Sequence, residues 1–314
     1  MLGDTVIDVE RLGKRYGNFL AVKELSFKVF KGEIFGLLGP NGAGKSTLIN
    51  MLTCILRPSS GNAVIYGFDL IKEPNKIKRI IGLVPQDIAL YQSLSAVDNL
   101  SFFGSLYGLK GKKLKNYIEE AIAIAGLQKW AKRPVRTYSG GMKRRLNIAI
   151  ALIHKPEVIF MDEPTVGVDP QSRNHIFEAI ENLKKEGLTI IYTTHYMEEA
   201  QNLCDRVGIM DEGKIIALDT PKNLIKEIQK NILEIEVVNI NTDMLEKIRK
   251  LQSIDNLIYR DGVIYITTEN ISKAAEEVFV LLNKNNASVI SINVPKANLE
   301  KVFLKYTGKS LRDF

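Results

Sequence analysis

Gly39-Pro40-Asn41-Gly42-Ala43-Gly44-Lys45-Ser46-Thr47 is the stretch from which the rest of the chain is read. It fits G-x-x-x-x-G-K-[S/T], a phosphate-binding spacing that requires a buried strand before it and a helix after it. Glu33-Ile34-Phe35-Gly36-Leu37-Leu38 supplies the strand. Leu48, Ile49, Leu52 and Ile55 recur at helical spacing up to the breaker cluster Pro58-Ser59-Ser60-Gly61. Glycines in such a loop let backbone N–H groups close around phosphate oxygens, and the helix N-terminus adds partial positive charge. Lys45 is expected to reach the outer phosphates and Ser46 to bind Mg²⁺. Gly39, Asn41, Gly42, Ala43, Gly44 and Thr47 complete the expected nucleotide contacts.

Working outward, Val158-Ile159-Phe160-Met161-Asp162-Glu163 sets four apolar residues on a buried strand that ends in two adjacent carboxylates. Asp162 is expected to hold Mg²⁺ through water. Glu163 is placed to orient and polarise an attacking water. Further strands at Leu188–Thr193 and Val207–Met210 alternate with helical segments, which predicts a mostly parallel, helix-covered α/β sheet. Short strands are expected at Val6–Tyr16 and Leu25–Val29. Leu100, Phe103, Leu106, Tyr107, Ile118, Ile122 and Ala125 recur at three and four, so a helical lobe is expected over about 87–137. A polar helix is read from Asp219 to Lys230, and the domain boundary falls near 228. Residues 229–314 then read as β-α-β-β-α-β, a ferredoxin-like α+β order, with the Asp261-Gly262 hairpin between Asn256–Arg260 and Val263–Thr267 and a last helix over Leu299–Tyr306.

The chain has 314 residues, 45% hydrophobic and 25% charged, which suits a folded globular protein of two domains and excludes disordered and collagenous classes. Forty-three Lys and Arg against 36 Asp and Glu leave a net charge of +7, almost all of it in residues 1–225. No apolar run approaches a membrane span, and Met1-Leu2-Gly3-Asp4 does not open as a signal peptide. Cys54 and Cys204 offer no metal spacing and read as small core residues. His154 and His175 read as structural or solvated. Lys110-Gly111-Lys112-Lys113-Leu114-Lys115 lacks interleaved aromatics, so no nucleic acid partner is expected.

Tyr138-Ser139-Gly140-Gly141-Met142 lies between the two nucleotide motifs. Together with Gln86 in Val84-Pro85-Gln86, Asp169 in Gly167-Val168-Asp169 and His195 after Thr193-Thr194, the set resembles an ATP-binding-cassette ATPase in order and spacing over residues 4 to about 225. The resemblance implies ATP as the nucleotide and an ATP-dependent dimer. Ser139, Gly140 and Gly141 of one subunit would close over the γ-phosphate held by the other, and Asp169 would join the nucleotide-binding residues. It also implies that Tyr16 stacks on adenine beside Val22, a contact worth roughly 1–3 kcal/mol. Gln86 would ligand Mg²⁺, and His195 would contact the γ-phosphate. The family's usual Leu-Ser-Gly-Gly-Gln is departed from at Tyr138 and Met142, outside the phosphate-contacting centre.

Thr165-Val166-Gly167-Val168-Asp169-Pro170, Thr194-His195-Tyr196-Met197-Glu198-Glu199-Ala200 and the small C-terminal domain look like ATPase subunits of ABC-2 exporters, a group that includes multidrug, antibiotic-resistance and sodium exporters. That implies a separate integral membrane permease as partner, a homodimer or a heterodimer with a related ATPase, and a peripheral place on the cytoplasmic side of the membrane. Methionine-type importer ATPases share a ferredoxin-like C-terminal order, though their signature more usually reads Leu-Ser-Gly-Gly-Gln. Non-transport cassettes acting on ribosomes or DNA usually carry a second cassette or a long coiled coil, and this chain has neither.

Overall fold

In a computed structural model describing residues 3–228, 232–285, 287–295 and 297–307, the chain opens on two long antiparallel strands, β1 (Thr5–Tyr16) and β2 (Phe19–Phe30). The second is more than twice the expected length. Arg11 and Glu24 adopt left-handed φ of 47° and 50°, and the register shifts between Val9 and Leu12. Such bulges break the period-two pattern that marks a strand in sequence. β3 (Ile34–Leu38) follows, buried throughout, and leads through the glycine loop into α1 (Lys45–Leu52). Cys54 turns left-handed at φ 58°, so the helix stops short of the breaker cluster and Ile55 projects into solvent.

β4 (Ser60–Ile65) and β5 (Phe68–Asp69) complete an antiparallel sheet ordered β2-β1-β4-β5. After α2 (Pro74–Ile80) comes β6 (Ile81–Val84), then the helical lobe of α3 (Ala96–Leu106), α4 (Gly111–Ala125) and α5 (Gly140–Leu152). Leu100, Ile118, Ile122 and Leu146 are buried in a core of the lobe's own. The main sheet is finished by β7 (Val158–Asp162), α6 (Pro170–Lys185), β8 (Thr189–Thr194), α7 (Met197–Leu203), β9 (Arg206–Asp211) and β10 (Lys214–Asp219). Its order is β10-β9-β3-β8-β7-β6, parallel except for the β10 edge. Between the two sheets Val9, Leu12, Phe35, Leu48, Phe160 and Ile191 form one apolar core.

The first compact unit runs to Leu224, inside α8 (Pro221–Ile228), and takes in Tyr306 and Thr307 at the end of the last helix, and the second spans Ile225–Lys305. Gln229 and Lys230, which the sequence reading put in this helix, lie outside the described residues. In the second unit β11 (Ile232–Val238), α9 (Thr242–Arg249), β12 (Asn256–Arg260), β13 (Val263–Thr267), α10 (Ile271–Lys284) and β14 (Ser288–Asn293) precede α11 (Leu299–Thr307). The sheet order β12-β13-β11-β14, with every neighbour antiparallel, is that of a split β-α-β-β-α-β domain. Asp261 and Gly262 both take positive φ, 51° and 81°, as a two-residue hairpin turn demands. No helix among the described residues is long and apolar enough to cross a membrane.

His154, just beyond α5, stacks on Tyr107 at 3.7 Å and donates Nε2–H to the Ile81 carbonyl at 2.9 Å. Its Nδ1 is buried without a partner among the described residues, and burial holds the imidazole below its ordinary value of 6.5. The unfolded chain therefore takes up a proton that the folded chain resists, so this group's stabilising effect is full above the unfolded value and is lost as pH falls below it. Chemical denaturation at about pH 7.5 and about pH 5.5 is expected to show wild type losing more stability than His154→Gln across that window.

Candidate active site

Parallel pairing brings the carboxyl ends of β3, β8, β7 and β6 to one sheet edge, where α/β sheets bind their ligands. β3 delivers the glycine loop, β8 delivers His195, β7 ends in Asp162 with Glu163 next, and β6 leads through Pro85 to Gln86. Gly44 takes φ 99° at the helix start, and a side chain there would set its first carbon 2.6 Å from the Ala21 carbonyl of β2. That strand backs the loop from behind.

Lys45 is buried, with Nζ donating to the carbonyls of Gly39 at 2.7 Å and Pro40 at 3.0 Å and paired with Glu163 Oε1 at 3.1 Å. The second oxygen of Glu163 faces His195 Nδ1 at 3.1 Å and Gln86 Nε2 at 3.5 Å. Glu163 sits at φ 46°, and its N–H donates to Thr193 Oγ1 at 2.9 Å. The same hydroxyl donates to Asp162 Oδ1 at 2.6 Å, so one threonine of β8 holds the Asp162 carboxylate and the Glu163 backbone.

Ser139 and Asp169 form a second group. Ser139 caps α5, its hydroxyl accepting from Met142 N at 3.2 Å, and Asp169 caps α6, accepting from Ser172 N at 2.9 Å. The Ser172 amide and hydroxyl hold the Asp169 carboxyl below its ordinary value. Gly141 lies so close to Ser172 that any side chain there would collide with it. Among the described residues no hydrogen bond or ion pair joins this group directly to Lys45, Glu163 and His195. Tyr16 stands 49% exposed at the end of β1, with the Lys14 ammonium 5.4 Å from its ring centroid. Val22 on β2 is fully buried in the core, with its side chain against Gly44 at the start of α1.

The linearmycin resistance ATP-binding protein LnrL of Bacillus subtilis (strain 168) is 44% identical over 311 residues, 98% of this chain and 100% of LnrL. The chain belongs to the ABC transporter ATP-binding proteins. The ABC transporter family profile matches residues 22–166. Daunorubicin resistance ATP-binding protein DrrA3 of Streptomyces coeruleorubidus is 33% identical, covering 99% of this chain and 98% of its own. CbiO1 from Clostridium perfringens, part of the CbiONQ ABC transporter complex, superposes with a TM-score of 0.66 at 32% identity over 71% of this chain and 92% of its own. A dimeric ATP-binding cassette in a post-hydrolysis state with ADP and Pi matches with a TM-score of 0.63 at 25% identity, covering 68% and 98% of the two chains. The protein is an ATPase with the P-loop cassette fold, its hydrolysis coupled to transport.

Two positions that the sequence reading did not single out organise this ABC ATPase. Arg144, buried in α5, forks to the carbonyls of Pro85 at 2.8 Å and Gln86 at 2.6 Å, fixing the turn that presents Gln86. Burial lowers its pKa, and Asp87 and Asp162 oppose that. Asn99, fully buried in α3, clamps the Tyr91 backbone from both sides at 2.9 and 3.1 Å. The signal for both is a polar side chain on the apolar stripe of a helix, where burial demands a partner.

Arg144→Lys keeps the charge and loses the fork. Turnover is expected to fall about tenfold, with KM for ATP changed less than about threefold. Steady-state ATPase kinetics on protein of unchanged circular dichroism check this.

Proposed function

We propose that this ATPase drives an exporter through a separate membrane permease, from the cytoplasmic face, as a dimer closed by ATP. The supporting observation is that the likeness to resistance ATP-binding proteins, and to a Nod factor export ATP-binding protein of Ralstonia nicotianae at 35% identity, extends over 98–99% of this chain, both compact units included.

Site chemistry follows from the residues. Arriving phosphate oxygens take over the Lys45 ammonium, and the backbone N–H groups of Asn41 to Thr47 close on them. Ser46, Asp162 and Gln86 would hold Mg²⁺, and their hydroxyl, carboxylate and amide oxygens are the hard donors that this ion takes beside phosphates. Bound there, it neutralises phosphate charge. Glu163, released from Lys45, accepts a proton from water, and His195 keeps its other oxygen in place. Tyr16 stacks on the base. Ser139, Gly140 and Gly141 close over the phosphates held by the opposite subunit, with Asp169 beside them.

Tyr91 and Phe102 are 47% and 41% exposed and meet edge-on at 5.0 Å, with Phe103 against both. Leu106, 68% exposed, extends this apolar patch, which suits a permease segment. Phe102→Glu is expected to leave basal hydrolysis within about twofold and to abolish stimulation by the reconstituted permease. Unchanged stimulation would place the docking surface elsewhere.

Glu163→Gln is expected to retain ATP binding and lose at least about a hundredfold in hydrolysis. Sharing of sites is tested by mixing Lys45→Ala with Ser139→Arg. Each alone spoils both sites of a homodimer. In the mixed dimer one site regains an intact Lys45 and an intact Ser139, so trapped ATP and turnover should partly return. A Lys45→Ala/Ser139→Arg chain mixed with wild type leaves every site lacking one element and should not recover.

A further inference from the structure

Glu199 lies four residues beyond His195, in the first turn of α7, and is 4% exposed. Three hydroxyls converge on its carboxylate: Thr165 at 2.8 and 3.0 Å, Tyr192 at 2.9 Å and Thr194 at 2.9 Å. Arg173 of α6 approaches to 3.7 Å. A buried carboxylate met by hydroxyl donors, with its one nearby cation beyond hydrogen-bond length, is strongly directional: each donor must point at it or be left unsatisfied.

The partners lie on the segment from Glu163 to Asp169 and on the end of β8 that carries His195. Thr194 precedes His195, and its hydroxyl also accepts from Tyr196 N at 2.9 Å, which fixes the turn that aims the imidazole. Thr165 follows Glu163 by two residues, and its carbonyl accepts from Val168 N at 3.2 Å in the turn that ends at Asp169. Arg173 lies one turn into the helix that Asp169 caps, with its guanidinium 5.2 Å from the centroid of the Tyr196 ring. We infer that Glu199 is a positioning residue that locks the Thr165–Asp169 segment to the end of β8, so that His195, Glu163 and Asp169 keep a fixed mutual placement. It touches no substrate atom. The inference rests on the site roles proposed above for those three residues.

The full-length ATPase with Mg-ATP tests it. Glu199→Gln, Glu199→Ala, Tyr192→Phe and Thr165→Val are measured beside Glu163→Gln and His195→Ala. Glu199→Ala is expected to lower kcat at least about tenfold with KM for ATP changed less than about threefold, and Glu199→Gln, which keeps an acceptor oxygen, to recover part of the loss. Thr165→Val combined with Glu199→Gln should be no worse than the poorer single variant, because both remove one interaction. If Glu199→Ala does not fold, Glu199→Gln, Tyr192→Phe and the double variant decide the matter. Unchanged kcat in the Glu199 variants, additive losses in the double variant, or KM rising in step with the fall in kcat would overturn the proposal. Wild-type rates in Glu163→Gln and His195→Ala would instead overturn the site roles on which it rests.

Discussion

An ammonium and a carboxylate, each about 95% shielded from water, face one another at 3.1 Å in Lys45 and Glu163. Desolvating two such ions costs several kcal/mol apiece, and attraction offsets that only where further hydrogen bonds satisfy the remaining donors and acceptors. Here the carbonyls of Gly39 and Pro40 take two of the lysine's protons, and His195 engages the far oxygen of the glutamate. Lys45 and Glu163 thus neutralise one another. On the function proposed above, an anionic phosphate would replace Glu163 as the lysine's partner without leaving a bare cation, and the carboxylate would then be released beside its histidine. Binding and readying of the base would be one exchange of partners.

That exchange depends on backbone placement. Glu163 is held in the left-handed region, a conformation that costs about 1–3 kcal/mol for a residue with a side chain and persists only where neighbours enforce it. Thr193 is the enforcing neighbour: it accepts the Glu163 N–H and donates to Asp162, so the β7–β8 pairing transmits directly to both carboxylates. The apolar strands beneath, buried from Val158 to Met161 and from Ile190 to Tyr192, give the polar edge a rigid base. Arg144 performs the same service for the β6 edge by gripping the backbone on either side of Gln86's peptide.

Residues whose chemistry is local were legible in the sequence. The glycine loop, the Asp162-Glu163 pair and the Asp261-Gly262 hairpin each state their role within a few positions, because strand, turn and helix order are set by neighbours. Arg144, Asn99 and Glu199 are different. Arg144 and Pro85 lie 59 residues apart, and Glu199 and Thr165 lie 34 apart, so only the folded sheet reveals that these side chains are buried with partners. β2 extends beyond its legible part for a related reason, since the irregularity at Glu24, just before Leu25, is invisible to a period-two pattern.

The departures at Tyr138 and Met142 show how the lobe tolerates variation around an invariant geometry. Tyr138 is 5% exposed, donates its hydroxyl to the Trp130 carbonyl at 2.7 Å and meets the Trp130 ring edge-on at 6.2 Å. A leucine would fill part of that space but could not tie the turn before Ser139 to the end of the lobe. Met142 contributes to the Ser139 cap through its backbone N–H, so the cap is indifferent to its side chain, which packs against the lobe core. Substitution at both flanks therefore leaves the Ser139 cap of α5 in place. Tyr138 and Met142 also share the lobe's core with Ala96 and Leu100 of α3, the helix that bears the exposed Phe102 and Leu106.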